Sequence, residues 1–241
     1  MQRYFAKIDP QFFVHFSSND EHHILHVMRM EKGDEIEVVD NGKVFLCRVD
    51  SLSPLQVSMI HEIENDVEIK EDITLLFALT KGDKIDLVLQ KATELGVKKV
   101  ALIETERTVV TYQDKDQNKK LERFNKIMKE ASEQSHRLII PELLGIFNIK
   151  NLPSLVFSDV NFVAYEKDAL EVDKAFSGLK RGQSVSILIG PEGGFSGKEI
   201  DELTKLGFIR TSLGKRILRA ETAAIYALSV IGYLLENEKP L

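Results

Sequence analysis

The spacing of apolar positions changes near residue 70. Before it, apolar and polar residues alternate over short runs at 35–39, 44–49 and 56–63. Asp40-Asn41-Gly42-Lys43 joins the first two as a hairpin signal. Such strands and tight turns predict a small β-barrel or sandwich over residues 1–70. One helix is expected at 22–30, with Ile24, Val27 and Met28 on a shared face. A run rich in acidic residues, 62–72, follows without Pro or Gly, and reads as a polar connector. Beyond it the pattern lengthens. Residues 73–79 form a continuous apolar strand. Residues 83–95 form an amphipathic helix with Ile85, Val88, Leu89 and Ala92 on one side, stopped by Gly96. Further strands are expected at 100–103, 161–164, 184–189 and 208–213, and helices at 119–135 and 220–235. Strand–helix alternation over 73–241 predicts a mostly parallel sheet covered on both faces, an α/β domain. There is no internal repeat.

One stretch, 187–200, stands out within that alternation. A buried strand runs into Gly190-Pro191-Glu192-Gly193-Gly194, and Ser196 with Glu199 makes an S-x-x-E capping box for the next helix. Glycines there allow positive φ and close approach of a ligand to bare backbone. A glycine turn between strand and helix exposes N–H groups at the carboxyl edge of a sheet, where open α/β sheets bind small ligands. The turn has neither the dinucleotide G-x-G-x-x-G pattern nor the Lys-Ser/Thr of a P-loop, so neither NAD nor ATP is the expected ligand.

A second bend lies at 212–224. A strand ends at Leu213, Gly214 turns, and Lys215, Arg216 and Arg219 bring three cations before a helix begins near Ala220. That helix carries Ala220, Ala223, Ala224 and Ala227 along one side. Its other apolar residues, Ile225, Leu228, Ile231, Leu234 and Leu235, need cover, and a partner subunit is a reasonable source.

Composition narrows the class. Of 241 residues, 43% are hydrophobic and 29% charged, as in ordinary soluble proteins. No apolar run approaches the roughly 20 residues that span a bilayer, and the N-terminus lacks the apolar core of a secretion signal. The single cysteine, Cys47, excludes a disulfide framework and fits a reducing cytoplasm. His22, His23 and His26 lack a carboxylate or cysteine at ligand spacing, so no metal is expected. The net charge of −6 excludes a uniformly basic surface. Residues 73–139, with 13 Lys/Arg against 10 Asp/Glu, are the one net-basic third; residues 1–72 carry 7 against 15.

These residues carry a resemblance. Gly-Pro-Glu-Gly-Gly-Phe-Ser at 190–196 and Leu-Gly-Lys-Arg-Ile-Leu-Arg-Ala-Glu-Thr-Ala at 213–223 resemble the ribosomal RNA small subunit methyltransferase E family, the 16S rRNA uridine N3-methyltransferase branch of the SPOUT superfamily. Further blocks agree in order: His23 to Met30 with Gly33-Asp34, Lys91 to Val97, Glu104 to Arg107, and Glu133 to Arg137 ending at Pro141. His136 stands where a glycine is common in that family. The resemblance implies a PUA-like β-barrel at 1–70 that helps hold RNA. It implies a SPOUT methyltransferase domain at 73–241 with a C-terminal trefoil knot, dimerised through the knot and last helix. S-adenosylmethionine is then expected in a bent pose between two loops. The first contributes Leu188, Ile189, Gly190, Pro191, Gly193, Gly194 and Phe195; the second Leu213, Gly214, Ile217, Leu218, Arg219 and Thr222. The partner is small-subunit rRNA or the assembled 30S subunit, in the cytoplasm.

The implied chemistry assigns roles. Methyl transfer from a sulfonium is an in-line displacement, helped by positioning and by stabilising charge on the acceptor. N3 of uracil must lose a proton, and negative charge spreads onto the two carbonyl oxygens. A guanidinium suits that anion: Arg219 is the first candidate and Arg137 the second. Glu221 or Glu192 is a candidate proton acceptor, although a carboxylate at a helix start is often a cap. Arg29, Lys81, Lys84, Lys91, Arg107 and Arg123 are candidate RNA contacts, each with a solvated surface as the plainer alternative. N3 is hidden in a base pair, so the base must be exposed or flipped. Two competing readings are a SPOUT ribose 2′-O-methyltransferase and a non-catalytic RNA-binding assembly factor.

Overall fold

The computed structural model describes residues 1–108, 114–154, 158–165 and 176–236. It divides into two compact units: residues 1–68 with 129–139, and residues 69–128 with 140–241.

In the first unit, β1 (Arg3–Phe5) pairs in parallel with β4 (Glu35–Asp40), which pairs antiparallel with β5 (Lys43–Leu52), and that with β6 (Leu55–Ile63). The hairpin expected at Asn41-Gly42 joins β4 to β5. A small ladder joins β2 (Lys7–Ile8) to β3 (Val14–His15). Alternate residues of the strands, among them Ile36, Val38, Cys47, Val49 and Val57, close over Tyr4 and Ile24. Cys47 is thus a small core residue, and burial pushes its thiol up to about 12.

The helix expected at 22–30 lies earlier in the chain and widens in its second half. Helix α1 (Ser18–His22), capped by the Ser17 side chain on the Asp20 N–H, continues as one π-helical stretch, His23–Val27. Of its expected apolar face only Ile24 is buried; Val27 and Met28 are exposed. The histidines act locally: His23 Nδ1 lies 2.9 Å from the Tyr4 hydroxyl, and the His22 and His26 rings sit 4.8 Å apart.

Residues 129–139 belong to this unit, which a boundary near residue 70 did not anticipate. The cause is a set of buried ionic contacts far apart in sequence. Arg3, 2% exposed, donates Nε to Glu37 Oε2 at 2.8 Å and Nη1 to the carbonyls of His136 and Arg137. Arg137, 4% exposed, pairs with Glu68 at 2.7 Å, and Leu138 N–H donates to the same carboxylate. Lys129 bridges Asp20 and Glu133 at 2.6 Å each. Burial drives the Glu133 carboxyl above its usual value, against the pull of Lys129. His136 has φ +58°, the left-handed conformation that glycine adopts at least cost, and its Nδ1 lies 3.2 Å from Glu37.

The second unit is built on six parallel strands in the order β12-β10-β11-β7-β8-β9. These are β7 (Ile73–Ala78), β8 (Lys99–Glu104), β9 (Glu142–Asn148), β10 (Val160–Ala164), β11 (Val185–Ile189) and β12 (Ile209–Thr211). Every residue of β7 and β11 is buried, as their unbroken apolar runs predict. Their side chains divide between two layers. Ile73, Leu75 and Phe77 with Ile187 and Ile189 meet α2 (Lys84–Glu94), Phe124 and Met128 of α3 (Asp114–Gln134), and α5 (Ala220–Glu236). Leu76, Ala101, Ile103 and Leu188 meet Ile149, Leu152 and α4 (Gly197–Lys205). Strand β9 was not expected; it is an edge strand with half-buried residues and a glycine, Gly145, in its middle.

Removing one partner of a buried ion pair strands the other charge. Arg3→Ala is expected to cost about 3–5 kcal/mol in urea unfolding. A loss within the roughly ±0.5 kcal/mol of an ordinary surface change would show that Arg3 anchors nothing.

Candidate functional site

Strand β11 is a central strand, and its chain leaves the carboxyl edge into the turn 190–195. Gly194 N–H closes that turn on the Pro191 carbonyl at 2.9 Å, with Gly194 at φ +64°. The other two glycines of the turn do not take positive φ. Crowding disfavours a side chain at both, severely at Gly190 and more mildly at Gly193. A Cβ on Gly190 would come within 2.9 Å of the Phe195 ring, and one on Gly193 within 3.3 Å of the Arg107 side chain. The capping box then starts α4: Ser196 Oγ accepts from the Glu199 N–H, and Glu199 Oε2 accepts from the Ser196 N–H at 2.8 Å.

The second bend leaves β12 at the same edge. Gly214, at φ +111°, donates its N–H to Ser212 Oγ at 3.3 Å, and the chain reaches α5 at Ala220. Both bends line one cleft of about 250 Å³. Gly190, Pro191, Gly193 and Gly194 form one wall with Phe195 below them; Leu213, Gly214, Ile217 and Leu218 form the other; Ala220 and Ala223 close it from α5. Glu192 and Arg216 also line it. Ile217 is 88% exposed, an apolar side chain left uncovered at the cleft's rim.

Charge gathers beside the cleft. Lys84, at the start of α2, donates to Glu192 Oε1 at 2.8 Å and lies 3.7 Å from Glu221 Oε2. Glu192's hydrogen bond holds the Lys84 ammonium above its usual value, with both carboxylates adding and Arg219 opposing. Partial burial would raise the Glu192 carboxyl, but Lys84's hydrogen bond and charge take it below the usual carboxylate value. Glu221 Oε2 is buried without a hydrogen-bond partner among the described residues. The Arg219 side chain is exposed and has no ionic partner among them.

The expected site residues therefore fall into groups. Ile189, Gly190, Pro191, Gly193, Gly194, Phe195, Leu213, Gly214, Ile217 and Leu218 meet at the cleft. Leu188 does not; its side chain points into the layer beneath the sheet with Ile200 and Leu203. Thr222 lies instead on the outer groove of α5 with Tyr226 and Tyr233. Arg137 is corrected as a catalytic candidate, because its guanidinium is buried against Glu68 and a substrate would have to break that pair to reach it. Among the candidate RNA contacts, Arg123 forms a two-bond pair with Asp86, Lys91 pairs with Glu94, and Arg107 donates to the Gly193 carbonyl at 2.6 Å. Arg29 and Lys81 are exposed.

Comparison with known proteins gives this cleft a context. A family model described as an RNA methyltransferase domain matches residues 67–232, and one described as an RNA methyltransferase PUA domain matches residues 19–58. The ribosomal RNA small subunit methyltransferase E of Bacillus subtilis is 38% identical over 98% of both chains. The chain belongs to the ribosomal RNA small subunit methyltransferase E family. A second member of that family, from Borreliella burgdorferi, is 31% identical over 90% of this chain and 89% of its own. Among solved structures, the Neisseria gonorrhoeae family member bound to S-adenosyl methionine superposes with a TM-score of 0.87 at 28% identity, covering 98% of each chain. A putative methyltransferase from Legionella pneumophila, in complex with the same cofactor, superposes at 0.88 with 30% identity over 96% of each. The fold is therefore the SPOUT-type parallel sheet with a PUA domain before it.

The Lys84–Glu192 pair makes a pH prediction. Glu192's folded value lies below its unfolded one, so its contribution is present above the ordinary carboxylate value of about 4.3 and is lost as pH falls through the folded value. Glu192→Gln should therefore lose less thermal stability than wild type between about pH 5 and pH 3. Identical acid slopes for the two proteins would contradict the pairing.

Proposed function

We propose that this protein transfers a methyl group from S-adenosylmethionine to N3 of a specific uridine in small-subunit rRNA, giving 3-methyluridine. The observation that carries the reading is the single cleft lined by both glycine bends. Its walls suit a nucleoside: apolar side chains for an adenine face, and bare backbone at Gly190, Gly193 and Gly214 for polar groups that need no side chain. When bound, the cofactor supplies an electrophilic methyl on a sulfonium. The chain supplies position and charge.

Arg219 is the residue we assign to the uracil anion. It sits between Leu218 and Ala220, both of the cleft, and its guanidinium is not committed to a carboxylate among the described residues. Glu221 Oε2 is our choice for the proton lost from N3, since it is buried and lacks a hydrogen bond. Lys84, 3.7 Å away, steadies that oxygen as an anion. The two units are expected to act as a PUA-like RNA-holding domain and a SPOUT domain with a trefoil knot. The return of the chain from edge strand β12 to α5, which packs on β11 and α2, supports such a crossing. A homodimer is supported by the outer groove of α5, about 500 Å³, lined by Ile225, Tyr226, Val230, Tyr233 and Leu234. An rRNA or 30S substrate implies a protein that works in the cytoplasm.

Calorimetry should detect S-adenosylmethionine binding, and digestion of treated small-subunit RNA should yield 3-methyluridine. Ribose-methylated uridine in its place would move the assignment to a 2′-O-methyltransferase, and absence of binding heat would leave only an RNA-binding factor. Arg219→Lys should keep cofactor affinity within about threefold while turnover falls about 100-fold or more, the scale of losing one charge-stabilising donor. Equal loss of both would make Arg219 a structural residue.

A further inference from the structure

In sequence Arg107 reads as a phosphate contact, yet its surroundings give it another job. Strand β8 ends at Glu104, and the turn after it is fixed internally: Thr105 N–H donates to Thr108 Oγ1 at 2.9 Å, and Thr108 N–H returns to the Thr105 carbonyl at 3.1 Å. The next residue is tied across to the glycine turn. Glu106 N–H donates to Glu199 Oε1 at 2.8 Å. Glu199 is itself buried, and its other oxygen holds the Ser196 N–H. One carboxylate therefore joins the turn after β8 to the end of the turn after β11. Arg107 adds a second tie, at a residue that itself lines the cleft. Its Nη1 donates to the Gly193 carbonyl at 2.6 Å, and its Cβ, Cγ and Cδ fill the space where a side chain on residue 193 would stand.

We propose that Arg107 is a positioning residue for the cofactor turn, holding the Gly193 peptide so that the backbone of 190–194 presents a fixed surface to the bound nucleoside. This rests on the reading that the cleft holds S-adenosylmethionine. Hydrogen bonding fixes which way the Gly193 carbonyl points. That orientation sets the direction of the following N–H, because the two belong to one planar peptide. The stem of Arg107 crowds a Cβ on residue 193 by a few tenths of an ångström, even though its φ is not positive. Gly193 and Arg107 thus form one unit, although 86 residues separate them. A guanidinium held in this way also gives up part of the freedom it would need to follow an RNA backbone.

The test compares wild type with Arg107→Ala, Arg107→Gly, Arg107→Lys, Gly193→Ala and the double variant Arg107→Gly/Gly193→Ala. S-adenosylmethionine affinity is read by calorimetry, and RNA affinity without cofactor is read across a salt series. Arg107→Ala should weaken cofactor binding about tenfold or more, the worth of one hydrogen bond from a charged donor. The KM for cofactor should carry that loss, with kcat at saturation changed far less. Arg107→Lys should recover part of it, since an ammonium can still donate to one carbonyl. Gly193→Ala should cost less in the Arg107→Gly background than in wild type, because the nearest crowding atom, the Arg107 Cβ, is then gone. RNA affinity and its salt slope should not move. Wild-type cofactor affinity in Arg107→Ala, with an RNA salt slope smaller by about one, would make Arg107 a phosphate contact and overturn the proposal. Additive losses in the double variant would overturn it as well. A wild-type protein that binds no cofactor would instead remove the reading on which the proposal rests.

Discussion

A parallel strand buried on both faces must release its chain at the carboxyl edge of the sheet, and β11 does so between β7 and β10. Its register against β7 on one side and β10 on the other fixes where the turn 190–195 begins. Strand β12, in register with β10, releases the second bend at the same edge. The cleft follows from that alignment more than from any side chain. Two bends that expose bare backbone are delivered to one place because the strands before them share a direction. The hydrophobic layers hold the arrangement: α2, α3 and α5 bury one face and α4 the other. A change that shifted β11 by one residue would turn Leu188 toward the wrong layer and displace the glycine turn with it.

Much of this was legible from residue pattern alone. Strands β7 and β11, helices α2 and α5, and the Ser196–Glu199 box are strong local signals, and each lies close to where its pattern placed it. Edge strand β9 was missed because Leu143, Leu144, Ile146 and Phe147 are only half-buried and a glycine interrupts them. The association of 129–139 with the first unit was not legible either. It depends on Arg3, Glu37, Glu68 and Arg137 meeting across tens of residues, and charges in a sequence do not say which partner they will find.

The site shows the same division between local and long-range information. That glycines were needed at 190 and 193 was readable; the reason was not. Positive φ explains Gly194, but Gly190 and Gly193 answer to Phe195 and Arg107, whose proximity only the fold reveals. Arg137 makes the same point. Its residue type suits an anion, but its guanidinium is buried against an acid from the same unit. Arg219 differs: it is exposed, although it is not among the residues that line the cleft, and Lys84, whose type suits an RNA contact, is tied to Glu192 and Glu221.

The central claim is that two backbone bends at one sheet edge form a single nucleoside site. A crystal structure of this protein with S-adenosylhomocysteine tests it most directly. The account predicts the adenosine seated between the 190–194 turn and Leu213–Leu218, with backbone groups from both bends within hydrogen-bonding distance. Ligand density touching only one bend, or lying outside that cleft, would contradict it.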